Sequence, residues 1–439
     1  MLIVAGRFPP VEEVPREALL LSPHGATAET EALARSAGLR VAATFRQNVR
    51  RPDPRYFLGE GKVREIAGFV EAGGGGDGGG GPSRRPALAV FDGDLKPTQV
   101  FHLEKALGVP VFDRTRLILE IFTRRARSPE ARLQVELARL QYDVPLVREY
   151  IHRTRTGEHP GLFFAGGAYQ VDDYHRVIKG RMARIRRELA RIGQERAQRR
   201  KTRRRGGQAL LALAGYTNAG KSALFRELCD ESVPVGDELF TTLSTTTRRL
   251  RFPLQGSQAL LTDTVGFIRD LPPWLVEAFL STLEEVFLSD AIILVLDLSD
   301  PPDEALSKLE TTLGILRKGG RDIPLVAAFN KVDLLDREEA ERRAGALLAA
   351  HGLPRFGLVS AVSGEGLPGL VRTVLSSLGD FFFGSVSGPA GEVLALGAEG
   401  IRPEPATGDG TATARPVLLR NWKLQELSGR HPTLAFSRE

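Results

Sequence analysis

The segment GYTNAGKS, Gly215 to Ser222, has the residue types and spacing of a loop that holds phosphates. Glycine lets such a backbone curl so that its N–H groups face phosphate oxygens, and the helix that follows adds its partial positive charge. All eight residues are therefore candidate nucleotide contacts: Gly215, Tyr216, Thr217, Asn218, Ala219, Gly220, Lys221 and Ser222. Lys221 is expected to pair with the β- and γ-phosphates, and the Ser222 hydroxyl to ligate Mg²⁺. A pattern of this kind arises by chance in on the order of a few per cent of Gly-rich chains of this length, so it needs company.

It has company downstream. DTVG (Asp263, Thr264, Val265, Gly266) ends a predicted strand at Ala259 to Leu261. There a carboxylate can hold the metal through water, and the Gly266 N–H can meet the γ-phosphate. NKVD, which supplies Asn330, Lys331 and Asp333, ends the predicted strand Leu325 to Phe329. The Asp333 carboxylate can accept from guanine N1–H and the 2-amino group, a donor pair that adenine lacks. Leaving that acceptor unpaired costs several kcal/mol, which selects GTP over ATP. Ser360 and Ala361 follow another strand, Phe356 to Val359, and can offer a backbone N–H to guanine O6.

Between these motifs lies FTTLSTTTRRL, a threonine-rich segment of the kind that folds over Mg²⁺ and the γ-phosphate in nucleotide switches. Register selects Thr242 as the metal-binding threonine, with Thr245 to Thr247 as competitors and a plain strand as the bland alternative. The metal set is then Ser222, Thr242 and Asp263, and the residues expected to act on the reaction are Lys221, Thr242 and Gly266. Phe267 stands where many GTPases place a water-orienting glutamine, so slow unassisted hydrolysis is expected. A carbonyl of Asn218 could supply a K⁺ site beside the phosphates. Equal rates in Na⁺ and K⁺ would remove that idea.

Around this pocket the strand–helix alternation predicts α/β architecture in a multidomain chain. The 439 residues exceed one ordinary core. Residues 1–127 read as a parallel α/β domain with strands Ala18 to Leu21, Val41 to Phe45, Ala87 to Phe91 and Val109 to Phe112. Its predicted helices are Ala28 to Ser36, Lys62 to Glu71 and Thr98 to Leu107, and the run GGGGDGGGG reads as a surface insertion. Residues 128–205 read as a helical hairpin: a first helix capped near Ser128, and a second with a seam of Ile178, Met182, Ile185, Leu189 and Ile192. Its connecting loop carries Phe163, Phe164 and Tyr169, which either stack on unpaired bases or fold back onto the helices. Residues 206–380 form the nucleotide domain, and 381–439 a small appended domain or a tail.

Composition narrows the setting. One cysteine, Cys229, closes no internal disulfide, and no apolar run reaches the roughly 18 residues of a membrane span. Residues 1–15 resemble neither a signal peptide nor a transit helix. The net charge of +6 is unevenly placed: Arg176 to Arg205 holds 14 Lys/Arg and two acids, so that stretch carries +12 and the rest of the chain −6. A polyanion partner is the favoured reading over a solvated helix face.

GYTNAGKS, DTVGFIRDLP, NKVD and SAVSGEGL together resemble the HflX family of translation-factor-related GTPases, as do FLGEGKVREI and the stretch Leu103 to Tyr142 upstream. The resemblance covers roughly residues 40 to 380. It implies an N-terminal α/β domain, a long antiparallel helical hairpin, a Ras-like P-loop domain and a short C-terminal domain. It also implies a monomer that binds GTP or GDP with Mg²⁺ and hydrolyses GTP under ribosome stimulation. The implied partner is the large ribosomal subunit and its rRNA rather than DNA, with GTP-dependent dissociation of ribosomes. Bacterial members carry a GPGETQ-like motif in the hairpin loop, where this chain has HPGLFFAGGAYQVDDYHR. That divergence and the Gly/Ala/Arg-rich style resemble the mitochondrial branch, which implies a mitochondrial rather than cytoplasmic location. Two alternatives stay open: a large-subunit assembly factor timed by GTP, and a GTP-sensing RNA-binding module with incidental hydrolysis.

Overall fold

The computed structural model describes residues 16–25, 28–73, 86–156, 170–229, 240, 243, 245–252, 254–269, 271, 272, 274, 275, 280–319, 322–353, 355–404 and 410–439. Thr242, the loop aromatics Phe163, Phe164 and Tyr169, and most of the glycine run lie outside the described residues. The chain divides into two compact units, residues 1–191 with 271–278, and residues 192–270 with 279–439. The boundary between them falls inside the single long helix Gln170–Arg205.

The first unit is built on strands β1 (Arg16–Ser22), β2 (Leu39–Arg46), β3 (Leu88–Phe91) and β4 (Val111–Phe112) in the order β2-β1-β3-β4, all parallel. β1 is buried over its last five residues, as a central strand covered on both faces must be, whereas β2 alternates between sheltered and exposed positions as an edge. The strands alternate with helices α1 (Ala28–Ser36), α2 (Glu60–Glu71), α3 (Pro97–Leu107) and α4 (Arg114–Arg125). Asp113 caps α4, its carboxylate accepting the Arg116 N–H at 2.7 Å. Burial pushes that carboxyl up to about 6.

Helix α5 (Pro129–Arg155) starts where Ser128 Oγ accepts the Ala131 N–H at 3.1 Å, and it carries Pro145 in its interior. Helix α6 (Gln170–Arg205) follows. Of the seam predicted on α6, Ile178 and Ile185 are buried, and Met182, Leu189 and Ile192 are half-buried. Arg181 forks onto Glu136 with two bonds of 2.6 Å, tying α6 to α5.

The second unit holds β5 (Ala209–Gly215), α7 (Lys221–Leu228), β6 (Thr246–Arg249), β7 (Gln255–Gly256), β8 (Ala259–Asp263), α8 (Leu280–Phe287), β9 (Ala291–Asp297) and α9 (Pro302–Arg317). It continues through β10 (Leu325–Asn330), α10 (Arg337–His351), β11 (Phe356–Leu358), α11 (Leu367–Ser376), β12 (Phe381–Pro389), α12 (Ala390–Ala395), β13 (Thr411–Arg420), α13 (Asn421–Arg430) and β14 (Ala435–Arg438). Six strands pair in the order β11-β10-β9-β5-β8-β6, parallel except for β6, which runs antiparallel to β8. All seven residues of β5 are buried, so it delivers the chain rigidly to the loop that follows.

Residues 381–439 are not a loose tail among the described residues. They form a second sheet, order β14-β12-β13-β7, into which β7 brings a two-residue strand from the nucleotide domain. Phe381, Phe383 and Leu418 belong to the core under the six-stranded sheet, while Phe382, Val417 and Leu419 face a separate core of the C-terminal segment.

Candidate guanine-nucleotide site

The phosphate loop runs from the end of β5 into α7. Asn218 and Gly220 hold positive φ, 63° and 90°, which turns the chain sharply before the helix begins. Asn visits this region more readily than most residues because its short side chain bonds locally. Gly215 also has a left-handed-side φ, 152°, and a Cβ there would strike the Val295 carbonyl.

Lys221 is buried, and its Nζ donates to the Tyr216 carbonyl at 2.6 Å. Burial pushes the ammonium down to about 8, against the upward pull of Asp263. Ser222 Oγ donates to Asp263 Oδ2 at 2.9 Å, so the serine at the start of α7 and the carboxylate at the end of β8 meet where a hard cation would be shared. Thr264 turns away, its hydroxyl donating to the Leu213 carbonyl at 2.6 Å, and Val265 is buried. Of the competing threonines, Thr246 and Thr247 lie in β6, and Thr247 Oγ1 is 2.9 Å from Thr262 Oγ1, so the bland strand reading describes these two.

Gly266 and Phe267 lie along the phosphate loop. The Phe267 N–H donates to the Gly215 carbonyl at 3.0 Å, and the Thr217 N–H donates to the Phe267 carbonyl at 2.7 Å. The Phe267 ring is buried, and a phenyl group carries no donor or acceptor with which to orient a water. A Cβ on Gly266 would lie 2.9 Å from Lys221 Nζ and 2.9 Å from the Thr217 Cα, the second a backbone atom that cannot swing aside. Gly266→Ala should therefore retain GDP binding within a few fold while slowing GTP turnover by about tenfold or more, because this strand must lift off the loop. Filter binding and single-turnover assays check it; an unchanged turnover rate would refute it.

The base side is organised by Asn330. Its Nδ2 donates to the Ala219 carbonyl at 2.9 Å, and its Oδ1 accepts the Ala361 N–H at 3.0 Å. The side chain thus staples the phosphate loop to the loop after β11. Ser360 is buried; its own N–H donates to the Glu365 carbonyl at 3.1 Å, and its Oγ accepts the N–H groups of Val362 and Ser363 at 3.2 and 3.0 Å. Both N–H groups singled out from the sequence are thus donated within the protein, and a contact from Ala361 to guanine O6 has to share the Asn330 bond. Lys331 has φ 67° and ion-pairs with Asp297, and Asp333 lies exposed on the short turn Val332–Leu334. Sequence reasoning missed Asp297, which also accepts the Ser299 N–H at 3.0 Å; an acid 34 positions before Lys331 gives no local signal.

Three family models match in succession: GTP-binding GTPase N-terminal over residues 25–123, GTP-binding GTPase Middle Region over 125–203, and 50S ribosome-binding GTPase over 210–331. A GTPase HflX of Thermococcus kodakarensis is 46% identical over 72% of this chain and 68% of its own length. The chain belongs to the HflX family of GTPases. Other HflX GTPases agree, one from Thermofilum pendens at 40% identity over 80% of this chain and 79% of its own, and one from Escherichia coli at 35% over 80% and 78%. A GTP-binding protein of Sulfolobus solfataricus, crystallised with GDP, is 25% identical and covers 81% of this chain and 96% of its own, with a TM-score of 0.44. HflX membership accounts for the order of the motifs along the chain, and no described helix is long and apolar enough to cross a membrane.

Proposed function

We propose that this chain is a GTP-hydrolysing factor that binds the large ribosomal subunit through its rRNA and separates ribosomal subunits in the GTP-bound state. The observation that carries this reading is a guanine-nucleotide pocket on the same chain as a helix whose stretch from Arg176 to Arg205 carries +12. Lys179, Arg184, Arg186, Arg187, Lys201 and Arg205 on α6 are all exposed. Counterion release from rRNA phosphates would supply affinity along such a helix, and the GTP form would decide when it is used.

Ser222 and Asp263 suit Mg²⁺ by their oxygen donors, and Thr242 completes the set expected from the sequence. The metal would neutralise charge on the phosphates, while Lys221 positions the β- and γ-groups and Gly266 offers its N–H to the γ-phosphate. With Phe267 buried, hydrolysis is slow alone and is stimulated by the ribosome; K⁺ at Asn218 is a further contributor. A mitochondrial setting rests on the divergent loop 153–173 and the Gly/Ala/Arg-rich style, while the relatives named above are archaeal and bacterial.

The test is light scattering of intact ribosomes with the purified protein and GTP, a non-hydrolysable analogue or ATP. Dissociation with GTP and the analogue but not ATP, lost in Lys221→Ala, is the expected result. Tight GTP-dependent binding to large subunits without dissociation would replace this reading with that of an assembly factor.

A further inference from the structure

Tyr216, the second residue of the phosphate loop, reaches three parts of the nucleotide domain at once. Its carbonyl accepts from Lys221 Nζ at 2.6 Å. Its hydroxyl accepts the Arg269 N–H at 2.9 Å. Its ring lies 5.5 Å from Lys308 Nζ on α9, and that ammonium is held by Asp300 at 2.7 Å and Glu304 at 2.8 Å. Only 3% of the tyrosine is exposed.

The segment from Gly266 to Arg269 is thereby fastened to the phosphate loop at two places. Near Phe267 the fastening is backbone to backbone, and at Arg269 it is the tyrosine hydroxyl. Where Gly266 sits decides where its N–H meets a γ-phosphate, and a displacement of about 1 Å costs on the order of a hundredfold in rate. The buried Phe267 side chain contributes nothing polar to that alignment. The cation over the ring restrains the tyrosine and keeps its hydroxyl on target.

We propose that the Tyr216 hydroxyl is a positioning group for GTP hydrolysis, holding Arg269 so that Gly266 and Phe267 stay in register with the phosphate loop. The proposal rests on hydrolysis of GTP by this pocket. Tyr216→Phe removes the hydroxyl and keeps the ring, and Lys308→Met removes the cation that restrains it.

In the full-length protein, Tyr216→Phe should slow single-turnover hydrolysis at saturating GTP by about tenfold, the factor carried by one lost hydrogen bond. GDP affinity should stay within twofold. In the complex with a non-hydrolysable GTP analogue, amide exchange at Arg269 should accelerate. Lys308→Met should shift both readings in the same direction by less. An unchanged saturated rate, or a loss of GDP and GTP affinity with the saturated rate intact, overturns the proposal and leaves the tyrosine as packing. If the wild-type protein binds the analogue but hydrolyses nothing, the GTPase reading fails on its own. Unaltered exchange at Arg269 in Tyr216→Phe would then overturn the latch separately.

Discussion

Asn330→Ala should lower GTP and GDP affinity by about a hundredfold and lower the melting temperature by several degrees in the absence of nucleotide. The reason is that one buried amide serves two loops. Its removal leaves the Ala219 carbonyl and the Ala361 N–H without their partner, in a place only 1% exposed at Asn330 itself. Each unsatisfied buried group costs on the order of 1–3 kcal/mol, which appears as lost stability of the free protein, while affinity falls because the phosphate loop and the base loop lose the side chain that aligns them. Asp333→Asn is the contrasting variant. Asp333 is exposed, so its replacement should leave the melting temperature unchanged while removing the preference for guanine. Fluorescent-nucleotide titration and thermal unfolding of both variants check this. A wild-type affinity in Asn330→Ala would show that the base loop and the phosphate loop are aligned by something else.

The second large effect is on pH. In the free protein, burial holds the Lys221 ammonium down at about 8, and bound phosphates would raise it. Nucleotide binding therefore takes up a proton above that value, and affinity falls as the pH rises. Between pH 7.5 and 9 the loss should be about tenfold, one factor of ten per pH unit above the free pKa. The stability of the free protein moves the other way. A lysine whose folded pKa is depressed binds fewer protons when folded, so its contribution rises from about pH 8 towards its ordinary value of about 10.4. Falling affinity with rising stability distinguishes Lys221 from general alkaline unfolding. Isothermal titration in buffers of different ionisation enthalpy measures the proton directly. In Lys221→Ala, binding should be weak and flat over the same range; a slope surviving in that variant would assign the proton elsewhere.

What was legible in the sequence is what local chemistry dictates. Helix α1 spans Ala28–Ser36, the span the strand–helix alternation predicts, and the phosphate loop lies between a buried strand and a helix, as its motif requires. Contacts between distant positions were not legible. The hydroxyl of Tyr216 and the amide of Arg269 are 53 residues apart, and nothing in either neighbourhood names the other. Strand β7 is two residues long with Gly256 at φ 78°, too short to show any period. Phe381, Phe382 and Phe383 read as one apolar run because the strand is buried on both faces, and only the fold reveals that they serve two cores.

That division of β12 bears on how the protein is made. The sheet that carries the phosphate loop has Phe381, Phe383 and Leu418 in its own core, yet these are synthesised after every nucleotide motif. A nascent chain halted at residue 380 would hold every nucleotide motif and lack three of the apolar side chains that pack beneath them. Competence to bind GTP should then wait until β12 and β13 have been made and have docked, and products of premature stop codons upstream of β12 should go to proteolysis rather than persist as partly active fragments.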